Sequence, residues 1–150
     1  MAQSLACLYY HLIFSTKQRA AMIVPAVQPR LYDYIGGIIR NEGGRLLAAG
    51  GIQDHVHLLA SFRPTSAVSD VLRDVKANSS KWLHETFPTM QSFGWQDGYA
   101  AFTVSHSNIE KVCDYILRQE EHHRRLTFQE EFVQFLERHG VEYDLEYIWR

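Results

Sequence analysis

The sequence predicts an α+β fold of the ferredoxin-like, split βαβ kind: a four-stranded antiparallel sheet with helices on one face, followed by C-terminal helices. Three observations predict it. Short runs rich in β-branched, aromatic and aliphatic residues alternate with stretches whose apolar residues recur every three to four positions, in the order strand, helix, strand, strand, helix, strand, helix, helix. The second and third strands are separated by too few residues for a helix, so they form a hairpin. The composition, 46% hydrophobic and 21% charged over 150 residues, is that of one globular domain spanning 1–150 and leaves no room for a long disordered tail.

Residues 5–15, LACLYYHLIFS, supply the first strand. After the loop STKQRAAMIVP, Leu31, Ile35, Ile38 and Ile39 share one face of a helix from Val27 to Asn41, which stops before Gly43 and Gly44. The internal pair Gly36 and Gly37 weakens this helix, by about 1 kcal/mol each against alanine. Residues 45–51 and 53–62 are the two strands of the hairpin. In RPTS, Thr65 or Ser66 can cap a long helix whose buried face runs Val68, Val71, Leu72, Val75, Ser79, Trp82 and Leu83 to about Phe87, with Pro88 ending it. MQSFGWQDG is a loop and YAAFTVS the fourth strand. Ser107 with Glu110, and Thr127 with Glu130, have capping-box spacing. They predict one helix from 107 to about His123 and another to Arg138, closed by Gly140. The aromatic tail VEYDLEYIWR is expected to pack.

The formal charge of −2 gives no whole-molecule field for an anionic partner, so any such partner must be held by a local patch. Cys7 and Cys113 are too few for a disulfide framework or a thiolate zinc site, which fits a reducing compartment, the cytoplasm by default. No run approaches the roughly 20 apolar residues of a membrane span, so no membrane partner is expected.

Within DHVHLLASF, residues 54–62, His55 and His57 project from the same face of a strand while Val56 and Leu58 project from the other. Two imidazoles so placed can each give a nitrogen to one metal ion or hydrogen-bond one phosphate. The same spacing equally describes two exposed histidines on the polar face of a half-buried sheet. The second element is the helix SNIEKVCDYILRQEEHH, where Ile109, Val112, Cys113, Ile116 and Leu117 form the core-facing stripe. Tyr115 lies on its flank with Gln119 one turn later, His122 beyond, and Lys111 and Arg118 next to them. That position equally suits an amphipathic tyrosine at the edge of a core. Taken together, two imidazoles and an amide oxygen leave a metal open positions for a phosphodiester, and a nearby phenol is a competent nucleophile once it is helped to lose its proton.

These residues resemble the single-tyrosine HUH transposases, the enzymes of the smallest insertion sequences, and their REP-associated tyrosine transposase relatives. DHVHLL is similar to the family's His-hydrophobe-His motif, and YILRQ to its tyrosine helix. The likeness extends through YYHLIFSTKQR, LRDVKANSSKWL, GYAAFTVSHS and QEEHH, from about residue 7 to 135. It implies a metal-dependent nuclease and strand transferase for single-stranded DNA, with Tyr115 as nucleophile forming a 5′-phosphotyrosine, and His55, His57 and Gln119 as ligands to Mg2+ or Mn2+. By ligand softness, imidazoles favour manganese of the two. It also implies recognition of DNA hairpins and a homodimer in which Tyr115 serves its own or its partner's site.

The local patch such a substrate needs is sought in Arg73, Lys76 and Ser80 along the second long helix with Lys81 adjacent, in Lys17, Arg19 and Arg63 near strand ends, and in Arg118. A solvated helix face explains the helical residues equally well. Phe93, Trp95 and Tyr99 are candidates for base stacking, with burial the commoner fate of such aromatics. His122 and His123 reinforce the metal site or contact phosphate, and neither is assigned as a metal ligand. Two other functions fit the same residues: a hairpin-binding regulator that does not cut DNA, and a zinc- or ligand-binding ferredoxin-like domain.

Overall fold

In the computed structural model, which describes residues 3–150, β1 (Tyr9–Ser15) pairs antiparallel with β3 (His55–Ser61) on one side and β4 (Ala100–Val104) on the other. β2 (Arg45–Ile52) pairs with β3, giving the order β2-β3-β1-β4. The helices are α1 (Gln28–Asn41), α2 (Val68–Thr86), α3 (Ile109–Leu117), α4 (Gln119–His122) and α5 (Phe128–Arg138). This is the ferredoxin-like order, with the C-terminal helices added.

The central strands β1 and β3 are buried on both faces, which is why their sequences are nearly continuous apolar runs. On one face Leu12, Phe14, Val56 and Leu58 meet Leu31, Ile35 and Ile39 of α1 and Leu72, Val75 and Leu83 of α2. Each such fully buried aliphatic side chain contributes about 1.5–3 kcal/mol. On the other face Ile13 and Phe102 meet Phe128, Phe132 and Leu136 of α5, with Tyr143, Ile148 and Trp149 of the tail packed alongside. His11, His55 and His57 share this second face.

The local signals are met where packing supports them. Pro29 sits in the first turn of α1, and Gly43, at φ 83°, ends it while Gly44 N–H donates to the Ile39 carbonyl. Gly36 and Gly37 stay helical because buried residues on both sides hold the helix to the sheet. Thr127 and Glu130 form the predicted capping box of α5. Ser79 belongs to the buried stripe of α2 because its hydroxyl accepts from Trp95 Nε1 at 3.0 Å. Trp95 and Phe93 are buried in this core, so neither offers a free face to a base.

Four local expectations are corrected. The helix predicted to run to His123 breaks at Arg118, at φ −104° and ψ 26°, into α3 and α4. Ser107 caps nothing: its hydroxyl lies 3.1 Å from that of Ser105, and a 3-10 turn at His106–Asn108 leads into α3. Leu117, expected in the buried stripe, is 68% exposed because the helix ends at it. The caps at Thr65 or Ser66 are likewise unused, since Ala67 occupies the N-cap of α2 without a side-chain bond.

The tyrosine-bearing helix α3 reaches the second face by crossing β2 at Gly50. A Cβ there would lie 2.0 Å from the Ile116 carbonyl oxygen. Gly50→Ala is therefore expected to destabilise the protein by about 1–3 kcal/mol. Gly37→Ala, where nothing lies within 4 Å of the added carbon, should be neutral or stabilising by up to about 1 kcal/mol. Urea denaturation of both variants checks the pair; equal midpoints would contradict the close contact.

Candidate functional site

His55 and His57 are fully buried, 0% exposed, because α3, α4 and α5 cover the face they occupy. The reading as two exposed histidines is thereby overturned. Each imidazole is oriented from behind. Asp54 Oδ1 accepts from His55 Nδ1 at 2.8 Å, and His57 Nδ1 lies 2.8 Å from Nε2 of the buried His11. Such outer contacts fix the ring and the tautomer of a metal-binding histidine. Both Nε2 atoms then face inward.

Four further side chains meet them there. His55 Nε2 lies 2.9 Å from Gln119 Oε1, and His57 Nε2 lies 2.8 Å from Glu131 Oε1. His123 donates from Nδ1 to the Leu126 carbonyl at 2.7 Å, which turns its Nε2 to within 3.0 Å of Gln119 Oε1 and 3.3 Å of Glu131 Oε1. The second oxygen of Glu131 accepts from the Tyr115 hydroxyl and, at 3.3 Å, from Gln119 Nε2. The Tyr115 ring stacks on His122 at 4.4 Å between centroids and meets His57 edge-on at 5.9 Å.

Buried charge sets the electrostatics. Burial pushes the Glu131 carboxyl up, but hydrogen bonds from His123, His57 and Tyr115 outweigh it and hold the group well below the usual carboxylate range. Burial pulls His57 down to about 4 against the opposing pull of Glu131. For His123 burial also pulls down, but the Glu131 bond and charge prevail and raise it. Burial, then the Glu131 bond and charge, push the Tyr115 phenol above its ordinary value.

The donor set fits a divalent metal. One ligand atom from each of His55, His57, His123 and Glu131 lies within 4.8 Å of the others, close to the spread of donors held about 2.0–2.2 Å from one ion. Because Asp54 and Leu126 take the Nδ1 protons, the Nε2 atoms of His55 and His123 are turned toward the Gln119 and Glu131 oxygens, and without a proton or cation between them these contacts set acceptor against acceptor. Acceptors facing acceptors are relieved by an added proton or by a cation. His55, His57, Gln119, His123 and Glu131 are the residues that would hold it.

The structure thus brings together Tyr115, His55, His57 and Gln119, and adds His123 and Glu131, which the sequence reading set aside or missed. A signal for Glu131 existed: it falls three residues after Phe128 and one before Phe132, inside the apolar stripe of α5, where a carboxylate is out of place unless it is paired. The cations of α2 are elsewhere, on the opposite face. Arg73 pairs with Asp70 and Asp74, each at 3.3 Å, and Lys81 lies 4.0 Å from Glu85. Lys76 donates to the carbonyls of Gln96, Asp97 and Gly98. Arg19 stacks over Trp149, and Lys17 lies beside Gly94. Arg63 lies against Gly43, and Arg118 lines a cavity with Gln119.

Fold and cluster together define a ferredoxin-like protein with a candidate metal centre and an adjoining tyrosine. The chain belongs to the IS200-like transposase family: the family profile described as "Transposase IS200 like" matches residues 4–119. It is 30% identical to the ISDra2 transposase TnpA of Deinococcus radiodurans over 117 residues, covering 75% of this chain and 84% of the relative. It is 28% identical to the transposase for insertion sequence element IS200 of Salmonella typhimurium over 116 residues, covering 73% and 75%. A crystal structure of a candidate transposase from D. radiodurans R1 superposes with a TM-score of 0.62 at 27% identity, over 77% of this chain and 94% of that one. A REP-associated tyrosine transposase bound to a REP hairpin shares the fold at a TM-score of 0.60 and 13% identity, over 82% and 74%. Transposase relatives imply DNA cleavage and rejoining. No helix among the described residues is long and apolar enough to cross a membrane.

The buried groups predict acid lability. His57 titrates near 4 in the fold and near 6.5 in the unfolded chain, so the unfolded chain binds more protons between those values. The stability it contributes is complete above about pH 6.5 and lost as pH falls toward 4. Glu131, also lowered, adds a loss of the same sign at lower pH. His123, raised, acts oppositely and loses its contribution as pH rises above about 6.5. Urea midpoints measured in metal-free buffer should therefore fall from about pH 6.5 to 4; a rise over that interval would contradict the buried neutral His57.

Proposed function

We propose that this protein is a metal-dependent endonuclease and strand transferase for single-stranded DNA that works through a 5′-phosphotyrosine at Tyr115. The observation that carries this reading is the shared Glu131 carboxylate, one oxygen of which faces the imidazoles while the other holds the Tyr115 hydroxyl. His55, His57 and Gln119 hold the divalent ion, joined by His123 and Glu131. When bound, the ion supplies Lewis-acid polarisation of the scissile phosphate and offsets the Glu131 charge that keeps the phenol protonated.

The Tyr115 oxygen attacks phosphorus and its proton passes to solvent, since Glu131, held well below the usual carboxylate range, orients the hydroxyl but is too weak a base to keep the proton. The Tyr115 O–P bond forms, the P–O3′ bond breaks, and the departing 3′-oxygen takes a proton from solvent. Attack by a 3′-hydroxyl on the phosphotyrosine reverses the step and rejoins the strand. The hairpin bound by the REP-associated relative supports DNA hairpins as substrate, and the family likeness supports a homodimer. A second reading draws on the donor set itself, since three imidazoles and a carboxylate also suit tetrahedral zinc.

With Mn2+ and hairpin-bearing single-stranded DNA, a covalent protein–DNA adduct should survive denaturing gels, and chelation or Tyr115→Phe should abolish it. An adduct formed by the Phe variant would overturn the nucleophile assignment. Zinc retained tightly with no adduct from any hairpin would favour the zinc domain. Asp54→Ala, which frees the His55 ring, is expected to lower Mn2+ affinity by about 10–100-fold in calorimetry; unchanged affinity would remove His55 from the ligand set.

A further inference from the structure

The cations expected to carry a nucleic acid on α2 are already engaged, by carboxylates at Arg73 and Lys81 and by backbone carbonyls at Lys76. An anionic strand gains less from Arg73 and Lys81, paired with carboxylates, and from Lys76, whose donors are taken up by carbonyls, than from free cations. Free cations lie instead beside the nucleophile. Between α4 and α5 is a cavity of about 440 Å³, one wall of which is Tyr115. Arg124, Arg125 and Arg138 ring it, all exposed, and none makes an ion pair among the described residues. Glu121 is the single acidic residue on its wall.

Its floor is suited to a flat ring as well as to a phosphate. His122 stacks on Tyr115 with 23° between the planes, Phe135 meets Tyr115 edge-on at 5.5 Å, and His122 Nε2 is buried with no hydrogen-bond partner. A buried polar nitrogen without a partner costs about 1–3 kcal/mol, and a ligand acceptor would satisfy it. The volume lies in the range of small-ligand sites, about 300–1,000 Å³, so one nucleotide fits.

We propose that this cavity, lined by Tyr115, His122, Arg124, Arg125, Phe135 and Arg138, is the binding subsite for the nucleotide that adjoins the scissile phosphodiester. The guanidinium groups hold the flanking phosphates, and the His122 and Phe135 side of the cavity receives the base. This rests on the DNA-cleaving function proposed above and adds a path for the strand, across the second face of the sheet and away from α2. Arg124 and Glu121 also line the cavity on the other side of α4, with Arg118 and Gln119, so the two cavities meet beside the candidate metal ligand Gln119.

The test is fluorescence anisotropy of a labelled oligothymidylate over a potassium chloride series, in EDTA so that the outcome does not depend on the metal. The unsubstituted protein should bind with a salt-dependent affinity. In Arg124→Ala/Arg138→Ala the slope of log K against log salt should become shallower by about 0.7 for each phosphate contact removed. Arg124→Lys/Arg138→Lys should restore the slope, which a purely structural role for these residues would not produce. His122→Ala should weaken binding without changing the slope. A slope unaltered by the alanine pair, a lysine pair that behaves like it, or a slope lost instead in Arg73→Ala/Lys81→Ala overturns the subsite while leaving the adduct result standing. If the unsubstituted protein binds no oligothymidylate at low salt and forms no adduct, the DNA-cleaving function falls with it.

Discussion

The Glu131 carboxylate is the interaction on which the second face of the sheet depends. An ion at 1% exposure loses several kcal/mol of hydration, a cost tolerable only with excellent hydrogen-bonding geometry. Here three imidazoles, an amide and a phenol surround its two oxygens. Those partners come from β3, α3, α4 and the segment leading to α5, so one carboxylate ties together elements far apart in sequence. Phe128 and Phe132 bring Glu131 there by burying the same face of α5 against Ile13 and Phe102. The aromatic packing and the polar cluster are two consequences of one docking event.

The sheet separates stability from chemistry. Its first face is a large aliphatic core against α1 and α2, which fixes β1 and β3 and therefore the ring positions of His11, His55 and His57. Its second face carries a smaller aromatic core that leaves room for polar groups. Strand side chains alternate, so every residue that anchors β3 to the first core holds a neighbour facing the cluster. A net charge of −2 is compatible with an anionic substrate on this arrangement, because acids pair with Arg73 and Lys81 on α2 while Arg124, Arg125 and Arg138 near Tyr115 make no ion pair among the described residues.

Much of this was legible in the sequence. Strand order, the hairpin, the buried stripe of α2 and the stop of α1 at Gly43 follow from periodicity and turn residues, which act locally. His55 and His57 were legible as a pair, and Tyr115 and Gln119 as a possible partner pair, because one strand or one helix fixes their relation. The rest depends on contacts between distant segments. Nothing near Glu131 says which groups it will meet, although its place inside an apolar stripe marks it as unusual. The break at Arg118 was hidden because the apolar spacing runs on through Leu117, and Ser107 looked like a cap because its spacing from Glu110 is right while its hydroxyl turns to Ser105. The paired state of the α2 cations was partly written in Asp70, Asp74 and Glu85, whose spacings permit those bridges.

The break at Arg118 has a mechanical meaning. In one continuous helix Tyr115 and Gln119 would be a single turn apart on a rigid rod, and any displacement of one would carry the other. Divided at Arg118, they belong to two levers: α3 rests on β2 through Gly50, and α4 is held through Gln119 and by the His123 ring that follows it. The two side chains are therefore seated independently, Tyr115 by the sheet and Gln119 by the histidines, so the place of one does not dictate the place of the other.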